Sequence, residues 1–190
     1  TIYGATFTQG KYGSALSFDG VDDYVDCGRD SALSGFSAFT IEGWIKQNSL
    51  PTSIAEQGSI VGKWDSNPVG EYLLRTDKDG GYHGDILIGD TLYSVEGGKA
   101  IAGKWQHVAM TYDGETLRLF VDGILVATNS SPSGAIDSES SVDVEVGRYG
   151  SSATPRYVNA LLDDIRIYNY ARTPDQIIQD YNAGKAIYFR

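Results

Sequence analysis

The chain has 190 residues, 41% hydrophobic and 21% charged, which suits a soluble globular domain and excludes a disordered class; no apolar run approaches the roughly 20 residues that span a bilayer. Twenty-five Asp and Glu against 15 Lys and Arg leave a net charge of -10, whose field repels nucleic acid and anionic membranes and leaves neutral or cationic ligands. This length predicts a single domain over residues 1–190, and the lone cysteine, Cys27, excludes an internal disulfide and reads as a small buried hydrophobe.

In chain order, TIYGATFTQGKYG has neither a start methionine nor an apolar signal core, so the chain reads as a module of a longer protein. ALSFDG places Leu16 and Phe18 on one face of a strand. In the following VDDYVDCG, Asp23 shares the parity of Val25 and Cys27, whereas Asp26 points away with Tyr24. FTIEGWIKQ is a strand with Phe39, Ile41 and Ile45 on one side and Thr40, Glu42 and Lys46 on the other; Trp44 has outward parity but the bulk of a covered residue. The stretches 49–59 and 129–141 lack alternation and read as rim loops. DKDGG at 77–81 begins like a calcium loop but has Ile88 where a bidentate Glu is required, so it reads as a turn.

WQHVAMTYDGETLRLFVDGILVAT predicts a three-stranded meander turned at Asp113-Gly114 and Asp122-Gly123. SVDVEVG predicts a further strand with Val142, Val144 and Val146 on one face, and ALLDDIRIYNY predicts another. One helix is expected: in TPDQIIQDYNAG, Thr173 caps, Pro174 takes the first position, Gln176 completes a capping box and Gly184 ends it, with Ile177, Ile178 and Tyr181 as the buried stripe.

Taken in order, GKYGSALSFDGVDDYVDCG, FTIEGWIK, IVGKWD, WQHVAMTYDGETLRLFVDGILV and LLDDIRIYNYARTPDQIIQDYNAG resemble the laminin G-like domains of the concanavalin A-like jelly-roll superfamily, particularly their bacterial branch. The resemblance implies an all-β sandwich of two antiparallel sheets with one short C-terminal helix. It also implies a structural calcium ion near the meeting of the first and last strands, with Asp19 and Asp163 at calcium-associated positions. Strand alternation adds a second argument, since Asp163 shares the parity of Ile165 and Ile167, and a carboxylate on an apolar face is costly unless paired or bound to a cation. Asp23 and Asp164 complete the expected metal set. The alternative is a bulge or strand end that lets these carboxylates reach water or pair with Arg166 or Arg29.

Catalysis is not expected. Ser141-x-Asp143-x-Glu145 is the nearest match to the carboxylate pattern of glycosidases on this fold, but serine stands where the nucleophile would be, and His83 and His107 are the only histidines. A carbohydrate site needs aromatic faces beside planar polar groups. Turn-rich segments offer Trp64 with Asp65, Tyr82 with His83, and Arg148 and Tyr149 with Tyr157 and Asn159. The expected function is therefore that of a calcium-stabilised, non-catalytic module of a secreted or cell-surface protein, which binds polysaccharide or oligosaccharide and holds a neighbouring enzyme to it. An adhesion or protein-recognition module is the alternative.

Overall fold

The computed structural model of the chain describes residues 1–66, 69–139, 141–150 and 154–183. Among the described residues, sixteen strands follow in chain order: β1 (Ile2–Tyr3), β2 (Thr6–Gln9), β3 (Ser14–Asp19), β4 (Tyr24–Asp26), β5 (Phe39–Gln47), β6 (Ser59–Ser66), β7 (Val69–Thr76), β8 (Tyr82–Ile88), β9 (Thr91–Gly97), β10 (Trp105–Tyr112), β11 (Leu117–Val121), β12 (Ile124–Asn129), β13 (Glu145–Val146), β14 (Arg148–Tyr149), β15 (Arg156–Tyr157) and β16 (Asn159–Tyr168). One helix, α1 (Pro174–Asn182), closes the described chain. The strands form two seven-stranded antiparallel sheets, one ordered β1-β4-β13-β6-β7-β8-β9 and the other β12-β11-β10-β5-β16-β3-β2, with β14 and β15 as a separate ribbon. This is the expected sandwich. No helix among the described residues is long and apolar enough to cross a membrane.

The core follows from strand alternation. Phe39, Ile41 and Ile45 of β5 meet Ile60 of β6, Tyr72 and Leu74 of β7 and Ile86 of β8 between the sheets, all fully buried. The meander forms as β10, β11 and β12, and Asp122 at its second turn adopts a φ of 52°. On the opposite face of the second sheet, Ala109 and Phe120 receive Ile177 of α1, which makes that helix the cover over Trp44. The helix begins as expected: the Thr173 side chain accepts from the Gln176 N–H, the Gln176 side chain returns to the Thr173 backbone, and Pro174 sits in the first turn. Ile178 is 43% exposed and so leaves the predicted stripe, because only one side of this short helix touches the sheet. The expected stop at Gly184 lies outside the described residues.

Other expectations are corrected. SVDVEVG pairs as a strand only at Glu145 and Val146, where β13 bridges β4 and β6. Cys27 is exposed, beyond the end of the three-residue β4. The parity argument for Asp163 fails at a bulge: the β5–β16 register shifts between Asp163 and Arg166, and Asp164 takes a φ of 51°. An inserted residue exchanges the two faces of a strand. Ala160 and Leu162 therefore face the core before the bulge and Ile165 and Ile167 after it, leaving Asp163 on the outer side opposite Trp44.

Candidate functional site

The FDG turn builds an acidic cluster. Gly20 adopts a φ of 81°, and a Cβ at that position would lie 2.9 Å from Asn159 Cβ, so glycine lets the turn close against the start of β16. Asp19 Oδ1 accepts from the backbone N–H groups of Val21 (2.8 Å) and Asp22 (3.4 Å), while Asp23 Oδ2 accepts from the Asp19 N–H (2.9 Å). One carboxylate oxygen from each of Asp19, Asp22 and Asp23 lies within 4.8 Å of the others. Burial, and after it the charges of Asp19 and Asp22, push the Asp23 carboxyl up against the opposing backbone hydrogen bond. Among the described residues none of the three forms an ion pair. A hard, all-oxygen donor set of this kind fits calcium better than zinc.

Asp163 and Asp164 do not join that cluster. Asp19 pairs with Asn159 and Leu16 with Leu162, so Asp163 lies four residues further along the strand, about 13 Å away by strand rise. Asp163 Oδ2 instead accepts the Tyr12 N–H (2.8 Å), and Asp164 is held by the Arg166 guanidinium at 2.6 and 2.9 Å. The third carboxylate of the cluster is Asp22, which the expected metal set of Asp19, Asp23, Asp163 and Asp164 omits. Its signal was the packing of three aspartates around one glycine turn.

A cleft of about 370 Å³ opens beside this cluster, at the end of the sandwich. Asp19 and Gly20 form one wall, Ser49, Leu50 and Glu56 of the 49–58 loop another, and Tyr157 and Asn159 a third. Gln47, the last residue of β5, has the core-facing parity of Ile45 and reaches the cleft from below. It is 2% exposed, and its Nε2 has no hydrogen-bond partner among the described residues. Asn159 is fixed at the rim, its Oδ1 accepting from Asn48 Nδ2 (2.8 Å) and its Nδ2 donating to Ser49 Oγ (3.4 Å). Glu56 Oε2 accepts from the Thr52 N–H (2.8 Å) and hydroxyl (3.0 Å), bonds that also hold its carboxyl below the usual range.

The remaining predicted ligand residues fall in other places. Trp64 and Tyr149 meet in a buried cluster with Leu73 and Leu87, at 8% and 6% exposure, so little of either ring is open. Trp64, Asp65 and Arg148 line a separate cavity of about 170 Å³ with Asp143 and Glu145. Tyr82 is fully buried in the core as the first residue of β8, its hydroxyl donating to Gln106 Oε1 (3.1 Å), so the YHGD part of GGYHGD is strand rather than loop. His83 points to the other face, with Nδ1 at 2.6 Å from Arg75 Nη2 and 3.1 Å from Asp85 Oδ2. Asp143 and Glu145 are each committed to an arginine, Arg29 at 2.7 Å and Arg148 respectively, while the Arg148 guanidinium also lies 3.7 Å over the Tyr24 ring. Of the predicted ligand set, Tyr157 and Asn159 converge on the end cleft.

The profile described as "Concanavalin A-like lectin/glucanases superfamily" matches residues 19–178. Human pappalysin-1 is 25% identical over 189 residues, covering 93% of this chain and 12% of that protein, so the chain spans about an eighth of the length of that relative. Among solved structures, the binding domain of Paraclostridial Mosquitocidal Protein 1 superposes with a TM-score of 0.76 at 13% identity, covering 96% of this chain and 46% of that one. Domain 4 of AbnA, an extracellular arabinanase from Geobacillus stearothermophilus solved with arabinotriose, superposes with a TM-score of 0.70 at 18% identity, covering 93% and 81%. These structural likenesses show a shared fold.

Proposed function

The chain belongs to the concanavalin A-like lectin/glucanases superfamily, and from that premise we propose that it is a non-catalytic binding module for neutral glycan, held at the end cleft and stabilised by calcium at Asp19, Asp22 and Asp23. The observation that carries the reading is the cleft itself, where the buried, unpartnered Gln47 amide, the Asp19 and Glu56 carboxylates and the Tyr157 ring line one space. Sugar hydroxyls supply the acceptors and donors these groups lack, and the apolar face of a pyranose or furanose suits an aromatic ring. The described lining contains no Lys or Arg, so no side chain there supplies the cation that an acidic sugar calls for.

The non-catalytic part of the reading is supported by the arginine-bound state of Asp143 and Glu145, the carboxylates whose spacing comes nearest to the glycosidase pattern. An extracellular setting, with the module holding a neighbouring enzyme near polysaccharide, agrees with the extracellular arabinanase whose domain shares the fold.

The test is calorimetric titration with a panel of neutral oligosaccharides. We expect Tyr157→Ala to weaken binding by tenfold or more, about 1.4 kcal/mol, with no change for Trp64→Phe. Equal affinity of Tyr157→Ala and the parent protein would remove the cleft as the site. The exposed side chains of Ile2, Phe7 and Val21 favour protein recognition as the second reading, which gains if no sugar binds.

A further inference from the structure

The chemistry of the cleft is asymmetric, and that asymmetry selects among neutral sugars. Among its lining residues, Gln47 holds a buried amide donor with no acceptor, and a buried donor left unpaired costs stability that an incoming acceptor returns. Pro51 and Val158, both buried, and Leu50 supply apolar lining to the same space, with Thr76 as a further buried polar residue. Glu56 also lines the space, an acceptor open to a further donor, and Asp19 lines it as a member of the acidic cluster. Asn159 is already engaged by Asn48 and Ser49, so it adds little unfilled demand.

A hydroxyl reaching the Gln47 amide would satisfy it but would leave the apolar walls beside it wet and unfilled. A group that carries a carbonyl oxygen, a methyl and an N–H within about 4 Å of one another fits all three surfaces: the oxygen accepts from Gln47 Nε2, the methyl packs against Pro51, Val158 and Leu50, and the N–H donates to a carboxylate. We propose that the end cleft recognises the acetamido group of an uncharged N-acetylhexosamine, with Gln47 as the residue that determines this specificity. The proposal rests on the glycan-binding reading of the same cleft and names its ligand class. The lining side chains include no Lys or Arg to pair with an acidic acetamido sugar, and Glu56 opposes one. The protonated amine of a free 2-amino sugar can meet a carboxylate but cannot itself satisfy Gln47, because it offers only donors.

The experiment is a competition titration of the calcium-loaded protein with N-acetylglucosamine and N-acetylgalactosamine, each against its 2-hydroxy and 2-amino counterpart. At least one acetamido sugar is expected to bind tenfold or more tighter than both counterparts. Gln47→Glu, which keeps the shape and replaces the donor with an acceptor, and Gln47→Leu, which keeps the bulk, are both expected to abolish that preference while the thermal transition shows a folded protein. Equal binding of the acetamido and 2-hydroxy sugars with an intact Tyr157 dependence would overturn this inference and leave the glycan reading standing. Retention of the preference in both Gln47 variants would likewise overturn it. Absence of binding by every sugar would overturn both.

Discussion

Glu42 and His107 face each other beneath α1, with His107 Nε2 and Glu42 Oε2 3.7 Å apart and both side chains almost wholly buried. Burial is the main cause of both shifts. It raises the Glu42 carboxyl to about 7, with Asp180 adding to the rise and Arg172, Tyr168 and Arg166 opposing it, and it lowers the His107 imidazole to about 4. The two contributions to stability run in opposite directions. Glu42, raised in the folded state, gives stability that is full below its unfolded value of 4.5 and is lost as pH rises towards 7. His107, lowered in the folded state, gives stability that is full above 6.5 and is lost as pH falls towards 4. Between 4.5 and 6.5 the slopes oppose each other, and the parent protein is expected to have a nearly flat profile there from this pair. Glu42→Gln removes one slope and keeps the other. Thermal midpoints measured from pH 6.5 down to pH 4 should therefore fall more steeply in Glu42→Gln than in the parent protein, by several degrees at the acid end given roughly 2–4 °C per kcal/mol for a chain of this size. Parallel profiles would show that Glu42 contributes no such slope, and a flat profile in Glu42→Gln would show the same of His107. Alternation in FTIEGWIKQ correctly set Glu42 apart from the core-facing Phe39, Ile41 and Ile45. It carried no information on the helix that covers Glu42, because cover comes from residues more than 130 positions later.

At the scale of elements, local chemistry was readable and non-local insertion was not. Thr173, Pro174 and Gln176 announced the helix start because the capping box is made within four residues. The meander was visible because its turns hold Asp-Gly pairs, in which Gly114, Asp122 and Gly123 take positive φ. The bulge in β16 was hidden, since Asp164 differs from its neighbours in backbone angle rather than in composition, and the inward carboxylate inferred at Asp163 was an artefact of assuming regular pairing. That angle is testable: with φ at 51°, a β-branched residue is strained by about 1–2 kcal/mol. Asp164→Val should be less stable than Asp164→Gly by that amount in urea unfolding, and equal midpoints would mean that the bulge can relocate. A second inter-element device was also invisible in the sequence. Lys63 Nζ lies 2.5 Å from Glu71 Oε1, both buried, and the same carboxylate accepts from Ser34 Oγ, the Gly35 N–H and the Glu139 N–H. It ties two loops to β6 and β7. Lys63→Met leaves the carboxylate without its cation and is expected to destabilise the protein by about 3–5 kcal/mol, read from the shift in the denaturation midpoint; a loss under 1 kcal/mol would show that the backbone donors alone suffice.

For the whole molecule, the net charge of -10 makes any cation mildly stabilising, so a specific calcium site has to be separated from general screening. The sandwich brings Asp19, Asp22 and Asp23 together through one turn, whereas Asp163 lies about 13 Å along the next strand. The family-level expectation joined segments that are adjacent in the sheet, but strand register, which no single sequence states, fixes which residues along those segments meet. A ligand that binds only the folded state stabilises it by about 1.4 kcal/mol for each tenfold rise in concentration above its dissociation constant, or roughly 3–6 °C here. The thermal midpoint is therefore expected to rise with free calcium and to drop on chelation, at a constant high ionic strength where sodium and magnesium give smaller shifts. Asp19→Asn and Asp22→Asn should lose the calcium-dependent rise, while Asp163→Asn should keep it even if its baseline falls through loss of charge at the Tyr12 contact. The reverse pattern, with Asp163→Asn insensitive to calcium and Asp22→Asn responsive, would move the ion to the far end of the strand. Because Asp19 also lines the end cleft, loss of calcium is expected to weaken glycan binding together with stability, whereas Tyr157→Ala should weaken binding alone.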